Sequence, residues 1–170
     1  MTGSDPIPTG RPVAGGDPAA IRIRIEATDL PGRDLLHHRG IQVGVQGRRG
    51  RDGREDLLDL HPGDAPAAVW TLQATALPTQ AGLDITGPHI QGRPGGRFVY
   101  LSWGTLDGAG TFARFSRAKL MFDAVDPATL DAARRAGGLL ARLKLTDARG
   151  NPLCAAVRPP LIDWSAGQVG

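Results

Sequence analysis

From Ile21 the chain alternates with a period of two. In IRIRIEAT, Ile21, Ile23 and Ile25 fall on one side and Arg22, Arg24 and Glu26 on the other, the pattern of a strand with one face in a core and one in water. IQVGVQ repeats it, with Ile41, Val43 and Val45 against Gln42, Gly44 and Gln46. EDLLDL predicts a short third strand, closed by the turn residues of HPGD at His61–Asp64. AAVWTLQATAL predicts a fourth, with Trp70, Leu72, Ala74 and Ala76 inward and Thr71, Gln73 and Thr75 outward. The intervening GRRGRDGR is a polar loop.

RFVYLSW differs. Val99, Leu101 and Trp103 share one side, but Phe98 and Tyr100 make the other side apolar as well. A strand apolar on both faces sits centrally and is covered twice, by a helix, a second sheet or a partner. FARFSRAKLMF loses its alternation around Ser116 and Arg117. A bulge there lets Phe112, Ala118, Leu120 and Phe122 reach the core alongside Phe115. One helix is signalled by Asp126 as N-cap, Pro127 at the first helical position and Gly137 beyond the end, with Val125 and Leu130 placed as a hydrophobic staple. LLARLKLT and PLCAAVRP flank DARGN and predict a hairpin.

Short strands, turn signals and one helix predict an all-β fold, an antiparallel sandwich or small barrel. The domain is expected over residues 20–165, after a disordered tail at 1–19 rich in Gly, Pro and polar residues and before a short tail at 166–170. The 24 glycines and 14 prolines among 170 residues agree with short elements joined by turns. Cys154 is the only cysteine, which rules out an internal disulfide and points to a reducing compartment. No basic start leads into an apolar run, and no stretch approaches the ~20 apolar residues that cross a bilayer. A cytoplasmic protein without a membrane segment is expected.

The net charge is +3, and arginine supplies all the basic side chains except Lys119 and Lys144. Guanidinium forks suit phosphate, but interspersed acids dilute the field, and a GC-rich coding bias raises Arg, Ala, Gly and Pro together. Arg48, Arg49, Arg51 and Arg54 crowd one loop, yet Asp52, Glu55 and Asp56 offset them, which argues against nucleic acid as a partner. GPHIQGRPGGRFVYLSWGT is rich in glycine but lacks the lysine and following helix of a P-loop, and the GxGxxG spacing fails. Pro94 and Gly95 instead fit the two central positions of a type II turn.

Chemical candidates are sparse. His37, His38, His61 and His89 form no HExxH or HxH pair, and one cysteine makes no CxxC, so neither a metal nor a cofactor is implied. Ser102, Asp107 and His89 lack a GxSxG elbow, and Cys154 lies among small apolar neighbours in LCAAV. No catalytic residue is assigned. The most telling polar set is Gln46, Gln91, Arg97, Arg117 and Lys119. Arg117 and Lys119 lie two apart on one strand and share a face, and Arg97 borders the doubly apolar strand. With Tyr100 or Trp103 as an apolar floor, these residues outline a shallow cationic ligand-binding pocket.

The segment GPHIQGRPGGRFVYLSWGT, then SRAKL, then LLARLKLTDARGNPLCAAV, resembles a bacterial family of uncharacterised domains of unknown function. That family's pattern runs GPxVQGxxGxRFVYxxxGT, SRRxKV and a segment such as LEARxxGTxxDGGPxCATV, and IQVGVQ is similar to its FGLQ strand. The likeness runs in order from Ile21 to Trp164. Ala118 stands where the second arginine of SRR is usual, and Asn151 replaces a glycine before Pro152. The resemblance implies a compact cytoplasmic β-domain and no known chemistry, cofactor or partner.

Three functions fit these observations. One is a non-catalytic binding module for a small anionic molecule or a partner protein. Another is a cofactor-free enzyme (cyclase, isomerase or hydrolase) with an apolar β-barrel pocket, since such catalysis rests on positioning and a few polar groups. The last is a homodimeric structural domain joined through the second face of RFVYLSW.

Overall fold

The computed structural model describes residues 19–28, 41–49, 55–62, 67–144, 155–158 and 162–169. The expected N-terminal tail, the centre of the arginine-rich loop, the end of HPGD, the DARGN turn, His37, His38 and Cys154 lie outside them. The strands are β1 (Ala20–Thr28), β2 (Ile41–Arg49), β3 (Glu55–Pro62), β4 (Ala67–Thr79), β5 (Gly82–Thr86), β6 (Phe98–Leu106), β7 (Phe112–Met121), β8 (Gly138–Lys144), β9 (Ala155–Val157) and β10 (Ile162–Ala166). Among the described residues there is one α-helix, α1, spanning Pro127–Ala136. The fold is all-β.

Among the described residues two five-stranded sheets form, in the orders β10-β8-β1-β4-β5 and β3-β2-β6-β7-β9. Alternation decides what lies between them. In the first sheet, Ile23 stands opposite Leu72 and Ile25 opposite Trp70; all four are at most 1 % exposed. In the second, Val43 is paired with Trp103, Val45 with Leu101 and Val99 with Leu120. One continuous buried cluster joins both inner faces. Trp70 ties them further, its Nε1 donating across to the Asp59 carbonyl (2.6 Å) and its ring meeting His61 edge-on. Asp59 presents that carbonyl at an irregularity of the β2–β3 ladder, where its φ is 38°.

The glycine-rich segment reverses the chain. Gly96 donates to the Arg93 carbonyl (2.8 Å) with Gly95 at φ 81°, the type II turn that Pro94–Gly95 predicts. Gln91 and Phe98 then exchange both backbone hydrogen bonds. The β7 bulge sits at Phe115: Trp103 faces Ser116 and Gly104 faces Arg114, leaving one residue extra. Ala118 and Leu120 thereby enter the core, joined by Phe122 from a 3₁₀ turn at Phe122–Ala124. Phe112 stays half-buried.

The α1 caps are as expected. The Asp126 carboxylate accepts from the Thr129 N–H (2.9 Å), and Gly137, at φ 79°, donates to the Ala133 carbonyl. Packing of α1 against β10, β8 and β5 closes one end of the first sheet.

The expected hairpin of LLARLKLT with PLCAAVRP does not form. β8 lies in the first sheet, parallel to β1, and β9 in the second, parallel to β7. The cause is where α1 ends. The Gly137 carbonyl accepts from Arg22 N–H (3.1 Å), so β8 starts beside the beginning of β1 and runs with it, placing Leu139, Ala141 and Leu143 in the core. β10, which the alternation did not reveal, then pairs antiparallel with β8. Gly167 extends that pairing by donating to Gly138 (3.0 Å). Among the described residues, no helix is long and apolar enough to cross a membrane.

Candidate functional site

β6 is central, as its apolar faces predict, but among the described residues neither a helix nor a third sheet covers its outer side. Cationic side chains do. The register places Gln46, Tyr100 and Lys119 in one row across β2, β6 and β7, and Gly44, Ser102 and Arg117 in the next. The Arg117 guanidinium lies 4.1 Å from the centre of the Tyr100 ring, and Lys119 Nζ 4.0 Å from that of Phe98. The two rings meet at 66°, their centres 4.8 Å apart. Each cation is thus held over the electron-rich face of an aromatic ring, a contact worth roughly 0.5–1 kcal/mol at a partly exposed site.

Behind the cations the face is closed and polar. Ser102 is fully buried and Gln46 nearly so; the serine hydroxyl donates to Gln46 Oε1 (3.1 Å). Gly44 leaves room there for Leu60, whose Cδ2 lies 2.8 Å from where a Cβ would stand. Gln91 reaches the same face from the turn, its Nε2 donating to the Gly47 carbonyl (3.4 Å). His89 Cδ2 and Asp56 Oδ2 both crowd the Gly47 backbone, at 3.2 and 3.0 Å from its Cβ position.

Five of the seven nominated residues therefore meet on one surface: Gln46, Gln91, Tyr100, Arg117 and Lys119. Trp103 does not. It is 4 % exposed and belongs to the core, because it shares the parity of Val99 and Leu101; Phe98 takes the floor position beside Tyr100. Arg97 is also elsewhere. Its Nε and Nη2 donate to the two carboxylate oxygens of Asp84 on β5, both at 2.9 Å, and its Nη1 to the Gly92 carbonyl (2.6 Å). That fork clamps the edge of the first sheet to the start of β6. The Arg97 hydrogen bonds hold the Asp84 carboxyl below the ordinary aspartate range, against the opposing pull of desolvation, and raise the pKa of Arg97 itself.

Phe98, Ser102, His89 and Asp56 were absent from the nominated set. For Phe98 and Ser102 the signal was the parity shared with Tyr100; for His89 and Asp56 no local signal exists. Ser102, Asp107 and His89 make no triad. The Asp107 carboxylate accepts the N–H groups of Ala109 and Thr111 in a turn beyond β6, and the Ser102 hydroxyl faces Gln46 rather than a base. Among the described residues, no group of three potential metal ligands occurs.

The model of DUF5990, a family of unknown function, matches residues 21–167. The chain belongs to that family. The match begins at the first residue of the IRIRIEAT alternation and ends just past β10, so the outer face of the second sheet lies wholly within the family's extent. No curated protein and no solved structure matches the chain.

Proposed function

We propose that the chain is a non-catalytic binding module that recognises a small anionic molecule on the outer face of its second sheet. One observation carries this: Arg117 and Lys119, two residues apart on β7, both sit over aromatic rings of β6 on the same face. At about 3.3 Å of rise per residue their backbones are roughly 7 Å apart. Their side chains lie over adjoining rings on one face, so a single anion lying across them can accept charge-assisted hydrogen bonds from both. The buried Ser102–Gln46 pair fixes the floor, so little ordering remains for a ligand to impose. The continuous apolar filling between the sheets favours a binding module over an enzyme that encloses its substrate inside a barrel.

The test is a thermal-shift screen with inorganic phosphate, citrate, AMP, glucose 6-phosphate and benzoate. A ligand at a hundred times its Kd adds about 2.7 kcal/mol, which raises Tm by roughly 5–10 °C for a chain of this size. Arg117→Ala with Lys119→Ala should abolish the shift. Absence of stabilisation by every anion, or stabilisation that survives the double variant, overturns the proposal.

A further inference from the structure

The outer faces of the two sheets differ in kind. On the first, Arg22 stands beside Gln73 and Arg24 beside Thr71, with single apolar residues such as Val69 among them. That is the ordinary state of a sheet with one face in water. The second sheet departs from it. Phe98 and Tyr100 of β6 face outward, and the register adds Leu57 of β3, opposite Gln46. Leu60 lies on the same face, its Cδ2 in the space that Gly44 leaves open. All four are half-buried, and Leu57 and Leu60 stand apart from Leu58, which packs against the core. A contiguous apolar surface of this kind marks a binding face.

Its charge is one-sided. Arg117 and Lys119 stand on β7, whereas Leu57 and Leu60 stand on β3, beyond β6 and β2. The row Lys119–Tyr100–Gln46–Leu57 crosses these strands, roughly 14 Å of backbone at about 4.8 Å per strand spacing. The ion pairs among the described residues join Arg24 and Arg142 to Glu26, Arg97 to Asp84 and Arg158 to Asp123; Lys119 takes part in none of them. Ser102 and Gln46 are buried beneath, so an occupant rests on the rings and the leucines. Its complement is negative at one end and apolar at the other. A second copy of the chain meets this requirement poorly, because two-fold pairing sets these cations against the partner's cations or its leucines.

We propose, resting on the anion-binding reading of this face, that its ligand is a free amphipathic anion: one acidic head on an apolar tail of medium length, as in an acyl carboxylate. The head accepts hydrogen bonds from Arg117 and Lys119. The tail crosses Tyr100 and covers Leu57 and Leu60, so the polar end sets orientation and the apolar area supplies affinity.

The experiment is calorimetric titration of the full chain with butanoate, hexanoate, octanoate and decanoate, each below its micelle concentration. Affinity should rise about two- to fourfold per added methylene, the upper figure matching the ~0.8 kcal/mol of a fully buried CH2. Octanol, which has the tail without the charge, should bind about tenfold more weakly than octanoate, as the loss of a charged hydrogen bond predicts. Leu57→Gln should weaken decanoate about tenfold, and Leu60→Gln gives an independent reading of the tail site. Val69→Gln, on the outer face of the first sheet, should change nothing. Equal affinity along the series, or equal binding of octanol and octanoate, overturns the inference. If that flat binding is lost in the Arg117→Ala, Lys119→Ala double variant, the anion face itself still stands. Binding of none of the four also overturns it, and stabilisation by phosphate or citrate then decides the anion face separately. Capture by phosphatidylglycerol vesicles without binding of free decanoate overturns it in favour of a membrane surface.

Discussion

Replacing Arg97 by alanine should destabilise the fold without touching anion recognition. The guanidinium makes two parallel bonds to Asp84 and a third to the Gly92 carbonyl, and the Arg97 and Asp84 side chains are only 17 % and 13 % exposed. An exposed pair contributes about 0–1 kcal/mol, while breaking a fully buried one costs about 3–5 kcal/mol because a charge is left without compensation. At this degree of burial the expected loss is roughly 2–3 kcal/mol, or a Tm lower by roughly 5–10 °C for a chain of this length. Arg97→Lys should recover part of it, since an ammonium cannot make the bidentate fork. Asp84→Ala, combined with Arg97→Ala in a double-mutant cycle by urea denaturation, should return a coupling of about 2 kcal/mol.

The pH dependence follows from the lowered pKa of Asp84. The folded state holds the carboxylate ionised more firmly than the unfolded chain does, so its stabilisation is fully present above the unfolded value of about 3.9. It is lost as pH falls through the lower, native value. The stability gap between the native chain and Asp84→Ala should therefore be constant from neutral pH to about 5 and close below about 4. A Tm unchanged in Arg97→Ala, a coupling near zero, or a gap that persists at the lowest pH would refute this account of the clamp. Loss of the anion-induced stabilisation in Arg97→Ala would instead return Arg97 to the ligand site.

Two further substitutions test the scaffold. Gly92, at φ 91°, has no room for a side chain: an added Cβ would run into the Gly96 carbonyl and stand 3.0 Å from the Phe98 ring. Gly92→Ala should cost about 2 kcal/mol or more in urea denaturation, and it should weaken anion binding by moving the ring beneath Lys119. Trp70→Phe removes the hydrogen bond to Asp59 that spans the two sheets and leaves unfilled volume beside His61. A loss of about 2–3 kcal/mol is expected, and a cost below about 0.5 kcal/mol would mean that this contact is not a link between the sheets.

Much of the site was legible as parity. A strand's side chains alternate whatever its neighbours are, so Arg117 and Lys119 had to share a face, and Tyr100 had to oppose Val99 and Leu101. The same rule places Trp103 with the core residues and Arg97 on the other parity from Tyr100, because neighbours along a strand point to opposite faces. The turn at Pro94–Gly95 and the caps of α1 were likewise local, each set by backbone preferences within a few residues, whereas the β7 bulge, expected around Ser116 and Arg117, sits at Phe115.

What the amino-acid pattern alone determined is therefore which side of each strand is buried and where the chain turns. Partnership was decided by the tertiary structure. That β8 lies parallel to β1, that β9 crosses to β7, that Asp84 meets Arg97 and that the Tyr100 ring lies beneath Arg117 all depend on pairing between distant segments. A period of two names a strand's faces but carries no information about which edge it joins. Only the simultaneous packing of both inner faces into one core selects the order and the register.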